Sequence, residues 1–344
     1  MTLSRLCRSR GVQSAVGRLG GGSSAAGLAL GYLADQIFGD PRRGHPVAAF
    51  GAAAAWLERR CYADRRAAGV LHTSALVGAA TALGVALDRL IGKRPAAVIM
   101  TGALATWSVL GGHSLSREAA TIAEQLANGE LIAAREQVRH LVGRDTAELS
   151  AQEVARATVE SLAENASDAV VAPLLWGALA GLPGLLGYRA VNTLDAMIGH
   201  RSPRYLRFGW AAARLDDLVN WAPARLAALA AAAWAPLVGG TAENAIAAVR
   251  RDAAQHPSPN AGVVEAAFAG ALDVRLGGCN AYQGMVEDRG ILGDGRPVEV
   301  TDIARASRLA TAVSMSALIM AVLLRELSLH PEGRASTGSA HRAP

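Results

Sequence analysis

The sequence of 344 residues contains almost no lysine. Lys93 is the only one, although lysine and arginine together number 34. A Walker-type phosphate loop needs a lysine followed by serine or threonine, and two glycines at fixed positions before it. Arg94 follows Lys93, and Leu87 stands where the first of those glycines is required. The sequence therefore excludes this class of nucleotide-binding loop.

Cysteine is also scarce, and the three cysteines, Cys7, Cys61 and Cys279, are far apart. No CxxC or Cys/His spacing occurs, so neither a zinc site nor a disulfide framework is predicted. The net charge of +5 comes almost wholly from arginines that are dispersed along the chain. Because nucleic-acid binding usually needs a basic stripe or patch, we expect no nucleic-acid partner.

Long apolar runs are the most prominent feature that the sequence does have. Residues 67–87 and 95–116 contain no Asp, Glu, Lys or Arg, and each is long enough to cross about 30 Å of hydrocarbon as a helix. Buried helices of a large soluble protein are the alternative, but both runs exceed the usual length of such helices. Shorter candidate spans cover 19–34, 169–188, 226–242 and 309–324.

These runs predict an all-α fold, a polytopic integral membrane helical bundle with water-facing helical and loop segments. We expect a flexible basic extension over residues 1–24, a single membrane-embedded domain over 25–328, and a disordered tail over 329–344. The domain includes a polar helical segment, 113–168, and a loop region, 243–307. About four to six helices are expected to be membrane-embedded.

Local signals refine this layout. The polar segment is predicted to form two amphipathic helices that turn at Asn128-Gly129. HPSPNAG (256–262) breaks any helix, and LGGCNAYQG (276–284) is predicted to be a glycine-rich loop. No strand-like alternation is strong anywhere. Tyr188, Trp176 and Trp221 are near the ends of predicted spans and are interpreted as interface anchors.

Carboxylates and amides recur at helical spacing beside the apolar runs. Glu160, Glu164 and Asp168 are four residues apart and share one face of a helix. The motifs NTLD (192–195) and ARLDDLVN (213–220) add further acids and amides. Such oxygens suit Mg²⁺, which usually bridges protein carboxylates to substrate phosphates. Arginines that suit phosphate oxygens are interspersed: Arg189, Arg201, Arg204, Arg214 and Arg225.

Each feature has a structural alternative. Asp168 can cap the helix that follows it, the glutamates can form a solvated face, and His45 can be a structural residue in a proline turn. Charge near a bilayer is costly and tends to be functional, which favours a magnesium–phosphate site at the water boundary. Three classes fit the residues alone: an intramembrane Mg-dependent prenyltransferase, an ATP-dependent ligase, and a non-catalytic transporter or scaffold.

The order of the motifs resembles that of the CobD/CbiB family, the adenosylcobinamide-phosphate synthases of cobalamin biosynthesis. The likeness extends from about Gly31 to Leu324. It rests on these blocks: GYLADQIFGDPRRGHPV, VGRDTAEL, ESLAENASDAVVAPLLWGALAGLPG, YRAVNTLDAMIGHRSPRYLRFGWAAARLDDLVNWAPARL and HPSPNAGVVEAAFAGALDVRLGGCNAYQG.

The resemblance implies a multi-pass enzyme of the cell (inner) membrane, an acid–amine ligase. Its expected reaction joins the free propionate of adenosylcobyric acid to aminopropanol or its O-phosphate, with ATP as co-substrate and Mg²⁺ or Mn²⁺ as cofactor. Expected partners are these substrates and the lipid bilayer; other late cobalamin-pathway enzymes and a second copy of the chain are further candidates. NTLD lacks the paired acids of a diphosphate-binding prenyltransferase, since Thr193 and Gly199 stand at the relevant positions.

The candidate site residues fall within the matched blocks. The catalytic candidates are Glu164, Asn165, Asp168, Asn192, Asp195, Asp216 and Asp217. The metal ligands are predicted to be Glu164, Asp168, Asp195, Asp216 and Asp217. The substrate- or phosphate-binding candidates are Asp40, His45, Arg189, Arg201, Arg214, Asn220, Arg225, Ser258, Asn260 and Tyr282.

One difficulty of topology follows from this placement. If residues 169–188 crossed the membrane once, ENASD and NTLD would lie on opposite faces and could not share a site. Pro183-Gly184 falls inside the run. We therefore predict a re-entrant hairpin or a buried helix pair, which is tolerated at membrane depth where protein surrounds it.

Overall fold

The computed structural model describes residues 24–40, 45–282 and 285–329. The predicted flexible extension and disordered tail lie outside these residues, apart from the boundary positions Ser24 and Leu329. Ser24 caps the first helix, since its hydroxyl accepts a hydrogen bond from the Gly27 amide at 3.0 Å. Leu329 is the last residue of the final helix.

The structure describes six helices in the first part of the chain, within residues 24–40 and 45–138. Asn128 ends the fifth, and Gly129, at φ 77°, makes the turn into the sixth, so the turn predicted at this pair is confirmed. The helices are α1 (Ala25–Phe38), α2 (Pro46–Cys61), α3 (Arg66–Ile91), α4 (Pro95–Val109), α5 (Gly112–Ala127) and α6 (Leu131–Val138).

Among the described residues after 138, the chain forms eight further α-helices and a small sheet. Single π-helical turns follow two of these helices, at Ser167–Val171 and at Asp195–Gly199. The helices are α7 (Ala151–Ala166), α8 (Ala172–Leu194), α9 (Tyr205–Phe208), α10 (Trp210–Val219), α11 (Trp221–Trp234), α12 (Ala242–Asp252), α13 (Ala261–Leu272) and α14 (Val300–Leu329).

Five helical stretches of the described chain are long and apolar enough to cross a membrane, which agrees with the predicted number. The runs at 67–87 and 95–116 lie in the first two of these stretches. The architecture is therefore that of an all-α polytopic membrane protein. The stretches are Arg66–Ile91, Pro95–Ala127, Ala151–Gly199, Trp221–Val238 and Val300–Ser328.

The third stretch, 151–199, is too long for one crossing and is folded back on itself. Gly181 has a non-helical backbone, φ 65° and ψ −149°, that divides α8 into two halves. The Tyr188 hydroxyl lies 2.9 Å from the Asp168 carbonyl oxygen. In a straight helix, residues twenty apart would be separated by about 30 Å. The chain therefore reverses at Gly181, and the predicted helix pair is confirmed.

Small residues let α3 pack closely against this helical hairpin. A Cβ atom at Gly84 would lie 2.6 Å from the Cα atom of Pro183, and one at Gly187 would lie 2.7 Å from the Thr81 hydroxyl. The last helix, α14, packs against four other helices of the bundle: α5, α7, α8 and α11. The hairpin is thus enclosed by protein, and 72% of its most apolar window is buried.

Residues 243–307 do not form the predicted loop region. They contain α12, the wholly buried helix α13 and a sheet of strand order β2-β1-β3. In the sheet, β1 (Val274–Tyr282) pairs antiparallel with β2 (Met285–Leu292), and β3 (Arg296–Pro297) pairs parallel with β1.

The glycine-rich loop predicted at 276–284 is also wrong, because residues up to Tyr282 belong to β1. Gly277 and Gly278, at φ 78° and 82°, form a bulge in the strand rather than ending it. The HPSPN segment does interrupt the helical chain between α12 and α13, as predicted.

Gly84→Ala is expected to lower the stability of the protein through its contact with the hairpin. The added methyl group meets Pro183 backbone atoms that cannot move without displacing the hairpin. Overpacking of this kind costs about 1–3 kcal/mol. Gly78→Ala is the matched control, because it lies on the same helix and its methyl group would have no neighbour within 4 Å. Equal unfolding midpoints in detergent for the two variants would contradict this packing.

Candidate functional site

The helical hairpin brings together acids that are far apart in the sequence. Glu164 and Asp168 precede α8, and Asp195 directly follows it, so the reversal at Gly181 brings the two ends of α8 together. Helix α10 places Asp216 and Asp217 beside them, and the five carboxylates interact electrostatically with one another. We call these five residues the acid cluster. Asp168 and Asp195 each lie in a π-helical turn, a distortion that is frequent at functional sites.

Asp216 is the cluster member whose surroundings are most informative. Its Oδ2 atom accepts a hydrogen bond from the Asn220 amide at 2.9 Å, whereas its buried Oδ1 atom has no hydrogen-bond partner in the described chain. Burial, with repulsion from Asp195 as the next cause, raises the pKa of Asp216 to about 7. A buried acid beside other acids repels them, and a bound cation would relieve that repulsion.

Two uncharged side chains hold the cluster in place. The Tyr188 hydroxyl lies 2.9 Å from the Asn220 side-chain oxygen as well as from the Asp168 carbonyl oxygen. Tyr188 and Asn220 are both buried. The interpretation of Tyr188 as an interface anchor is therefore wrong. The sequence did contain a signal for this role: Tyr188 precedes Asn192 by four residues and Asp195 by seven, which puts all three on one helical face.

Arg189 supplies a positive charge at the same place. Its guanidinium group interacts electrostatically with Asp40 and Asp168 and donates a hydrogen bond to Asn192 at 3.3 Å. The Arg189 Nε atom is buried and has no hydrogen-bond partner among the described residues. One Asp40 carboxylate oxygen is likewise buried and unpartnered there. The structure thus brings Asp40, Arg189 and Asn192 beside the acid cluster.

The HPSPN segment, which precedes α13, contacts the acid cluster. The Asn260 amide donates to the Asp217 carbonyl oxygen at 2.8 Å and its side-chain oxygen accepts from Arg225 at 2.8 Å. The Ser258 hydroxyl accepts hydrogen bonds from the backbone amides of Asn260 and Ala261, at 3.4 and 3.2 Å, just before and at the start of α13. These contacts give Asn260, Arg225 and Ser258 a structural role next to the site.

The remaining candidates lie at its edge or have other partners. Arg214 forms an ion pair with Asp217 at 3.1 Å, and the Asn165 amide donates to the Ser161 carbonyl oxygen at 2.9 Å. His45 caps α2 by accepting a hydrogen bond from the Val47 amide at 3.2 Å, which agrees with the structural alternative. Arg201 is exposed. Tyr282 ends β1, and its side chain lies outside the described part of the structure.

Glu160 lies four residues before Glu164 on α7, but its carboxylate has partners of its own. It forms a buried ion pair with Arg144, and its other oxygen accepts a hydrogen bond from the Gly277 amide at 2.7 Å. Arg144 also donates to the Asn280 side chain at 2.5 Å. Glu160 therefore joins the sheet to α7, and its charge stabilises the fold through the ion pair with Arg144.

The acid cluster suits a divalent cation that takes few of its ligands from the protein. Within the described ranges, no three histidine, cysteine or acidic side chains are close enough to hold a metal ion together. Magnesium, however, is often bound through one or two carboxylates, with waters and substrate phosphates supplying the other ligands. The unpartnered Oδ1 atom of Asp216 and the neighbouring carboxylates provide that number of ligands. The residues fit Mg²⁺ or Mn²⁺, and the metal stays a prediction.

The sequence of the chain matches a known protein family. The family model described as CobD/Cbib protein matches residues 28–310. The chain belongs to the CobD/CbiB family. The range that matches the CobD/CbiB model contains every candidate site residue, from Asp40 to Tyr282.

Curated members of the CobD/CbiB family are similar over most of their length. The chain is 54% identical over 301 residues to the cobalamin biosynthesis protein CobD of Mycobacterium tuberculosis strain H37Rv, covering 87% of this chain and 95% of the relative. It is 44% identical over 280 residues to a CobD protein of Rhodobacter capsulatus, covering 79% and 87%. It is 42% identical over 300 residues to that of Geobacter metallireducens, covering 85% and 94%. No solved structure matches the chain.

Proposed function

We propose that this chain acts in cobalamin biosynthesis as an ATP-dependent amide ligase. It joins the free propionate of adenosylcobyric acid to aminopropanol or its O-phosphate and yields adenosylcobinamide or its phosphate. The observation that carries the proposal is the convergence of the acid cluster and Arg189 at the base of an enclosed apolar hairpin, in a chain of the CobD/CbiB family.

The reaction needs activation because a carboxylate and an ammonium group do not condense at neutral pH. In the first step a propionate oxygen attacks the γ-phosphorus of ATP, and ADP leaves. In the second step the amine nitrogen attacks the acyl carbon, inorganic phosphate leaves, and the nitrogen loses a proton. Catalysis consists of positioning, charge neutralisation and the exclusion of water from the acyl phosphate.

The residues of the site suit these tasks. Bound Mg²⁺ or Mn²⁺ would supply charge neutralisation at the transferred phosphoryl group. Asp216 and Asp168 are the ligands with the best support: Asn220 orients the Asp216 carboxylate, and Tyr188 holds the backbone of Asp168. Arg189, which interacts electrostatically with Asp168, would bind a phosphate oxygen. The buried hairpin arms keep bulk water away from this end of the bundle.

The decisive assay uses protein purified in detergent from the cell membrane, where we propose that the enzyme resides. It is incubated with adenosylcobyric acid, aminopropanol O-phosphate, ATP and Mg²⁺, and the corrinoid is analysed by mass spectrometry. We expect one amide product, formed only when ATP and amine are both present, with one ADP released per bond. A corrinoid that returns unchanged while a prenyl diphosphate is consumed would instead support the prenyltransferase.

A further inference from the structure

A narrow cleft opens between α1, α5, α7 and α14, next to the acid cluster. The cleft is partly open to solvent, and its wall is rich in hydroxyl and amide groups. The polar part of this wall comprises Tyr32, Gln36, Ser116, Asn165, Thr311 and Ser314. The mechanism proposed above assigns no ligand to this cleft.

A buried carboxylate borders the cleft. Asp35 is completely buried, and its Oδ2 atom accepts hydrogen bonds from the Gln36 amide at 3.0 Å and the His113 backbone amide at 3.3 Å. Its Oδ1 atom has no hydrogen-bond partner among the described residues. Among the titratable groups that act on Asp35, the Asp40 carboxylate repels its charge and His113 attracts it.

Glycine at position 112 leaves the carboxylate close to the cleft. Gly112 lines the cleft, and a Cβ atom there would lie 3.4 Å from Asp35 Oδ2 and 3.6 Å from the Gln36 amide nitrogen. The carboxylate is therefore behind a wall that carries no side chain. A buried carboxylate without a cation is costly, and a cation in the cleft would offset that cost.

The acceptors of the wall suit a donor with several hydrogens. Gln36 and Asn165 both use their amide nitrogens in contacts within the protein, to Asp35 and to the Ser161 carbonyl oxygen, so their amide oxygens remain as acceptors. An ammonium group carries three donors and one positive charge. Acceptors on two sides and a carboxylate behind them match that pattern.

The cleft is close to the acid cluster along the chain, because Asn165 and Val170, which line it, flank Asp168 in the sequence. Asn165 follows the cluster residue Glu164 directly in the sequence. On the other side, Asp35 interacts electrostatically with Asp40, which in turn interacts with Arg189. Electrostatic interactions therefore connect Asp35 with Arg189 of the proposed phosphate site.

We propose that this cleft binds the primary ammonium group of the amine substrate, with Asp35 as its counter-charge. The inference rests on the proposed function for the identity of the amine. Asp35 is a substrate-binding residue in this scheme, and the acid cluster handles the phosphates. The same chemistry predicts that a neutral analogue, in which a hydroxyl replaces the amine, does not occupy the cleft.

The test separates the Michaelis constants of the three substrates. In Asp35→Asn the KM for aminopropanol O-phosphate is expected to rise about tenfold or more, because a charge-assisted contact is lost. The KM values for ATP and adenosylcobyric acid stay within about twofold, as expected for independent subsites. Gly112→Ala keeps the charge but adds a methyl group to the cleft, and it is expected to raise the amine KM as well.

Glu58→Gln is the control, since Glu58 is a buried carboxylate that pairs with Arg204 in another part of the bundle. It should lower thermal stability without changing the amine KM. The inference is overturned if Asp35→Asn leaves the amine KM unchanged, or if it changes all three KM values as a general structural defect would. Should Asp35→Asn not fold, an unchanged amine KM in Gly112→Ala overturns it.

A second measurement distinguishes this inference from the proposed function. Thermal unfolding in detergent is followed with aminopropanol and with propane-1,2-diol, without ATP or corrinoid. We expect aminopropanol alone to raise the midpoint of the wild type, and Gly112→Ala to lose this effect. If the wild type makes no amide, the ligase proposal fails, while the aminopropanol shift still decides the cleft. No shift in the wild type overturns the amine site.

Discussion

Asp216→Asn is expected to lose about 100-fold or more in turnover while the protein inserts and folds normally. The substitution keeps the shape of the side chain and the hydrogen bond from Asn220. It removes the negative charge that would hold the metal ion on which phosphate binding depends. The same change relieves burial of a carboxylate beside Asp195. Thermal stability in detergent should therefore stay equal or rise while ADP release and amide formation disappear.

Asp168→Ala is expected to abolish turnover in the same way, and activity should require Mg²⁺ or Mn²⁺. Asp64→Asn is the control, because the Asp64 side chain is 55% exposed and forms only a long ion pair with Arg207, at 3.7 Å. Full turnover in EDTA would remove the metal from the proposal. Wild-type rates in both acid variants would place the site elsewhere.

Arg144→Ala is expected to cause the largest loss of stability. Arg144 and Glu160 are both nearly inaccessible, with 3% and 7% of their side chains exposed. Removal of one partner of a buried ion pair costs about 3–5 kcal/mol, because the other charge is left buried. Arg156 lies 3.8 Å from Glu160 and remains, so we expect the lower end of this range. The unfolding midpoint in detergent measures the effect.

Arg139→Ala provides the comparison, since Arg139 and Glu136 form an ion pair at 2.9 Å with 62% and 68% of their side chains exposed. Such exposed pairs contribute about 0–1 kcal/mol. The double variant Arg144→Ala/Glu160→Gln should regain part of the lost stability, because it removes the buried charge. Similar losses for Arg139→Ala and Arg144→Ala would show that burial of the pair does not matter.

Local patterns were sufficient for much of the helical layout. The runs at 67–87 and 95–116 lie in spanning stretches because charge and length are properties of the segment itself. The turn at Asn128-Gly129 was predicted because glycine accepts positive φ without a steric cost. The reversal inside 169–188 was also predicted, but from Pro183-Gly184, whereas the backbone turns at Gly181.

The sheet was missed because its strands are stabilised from outside the segment. The bulge at Gly277 and Gly278 gives β1 the local composition of a loop. The Gly277 amide is held by Glu160, and Asn280 by Arg144, both of which come more than a hundred residues earlier in the chain. Strand pairing of this kind depends on tertiary contacts, and the sequence of residues 274–292 has no alternation of polar and apolar residues that would predict it.

Residue type and order were sufficient to predict the helical membrane class, the spacing of the acids along α7 and α10, and the family resemblance. These follow from hydropathy, residue type and order, which are local. The packing of the helices was needed to show that the chain reverses at Gly181 and that Tyr188 and Asn220 join Asp168 to Asp216. It was also needed to show that Asp35 is buried, with one carboxylate oxygen unpartnered among the described residues. The reason is that distances between side chains on different helices depend on how those helices pack.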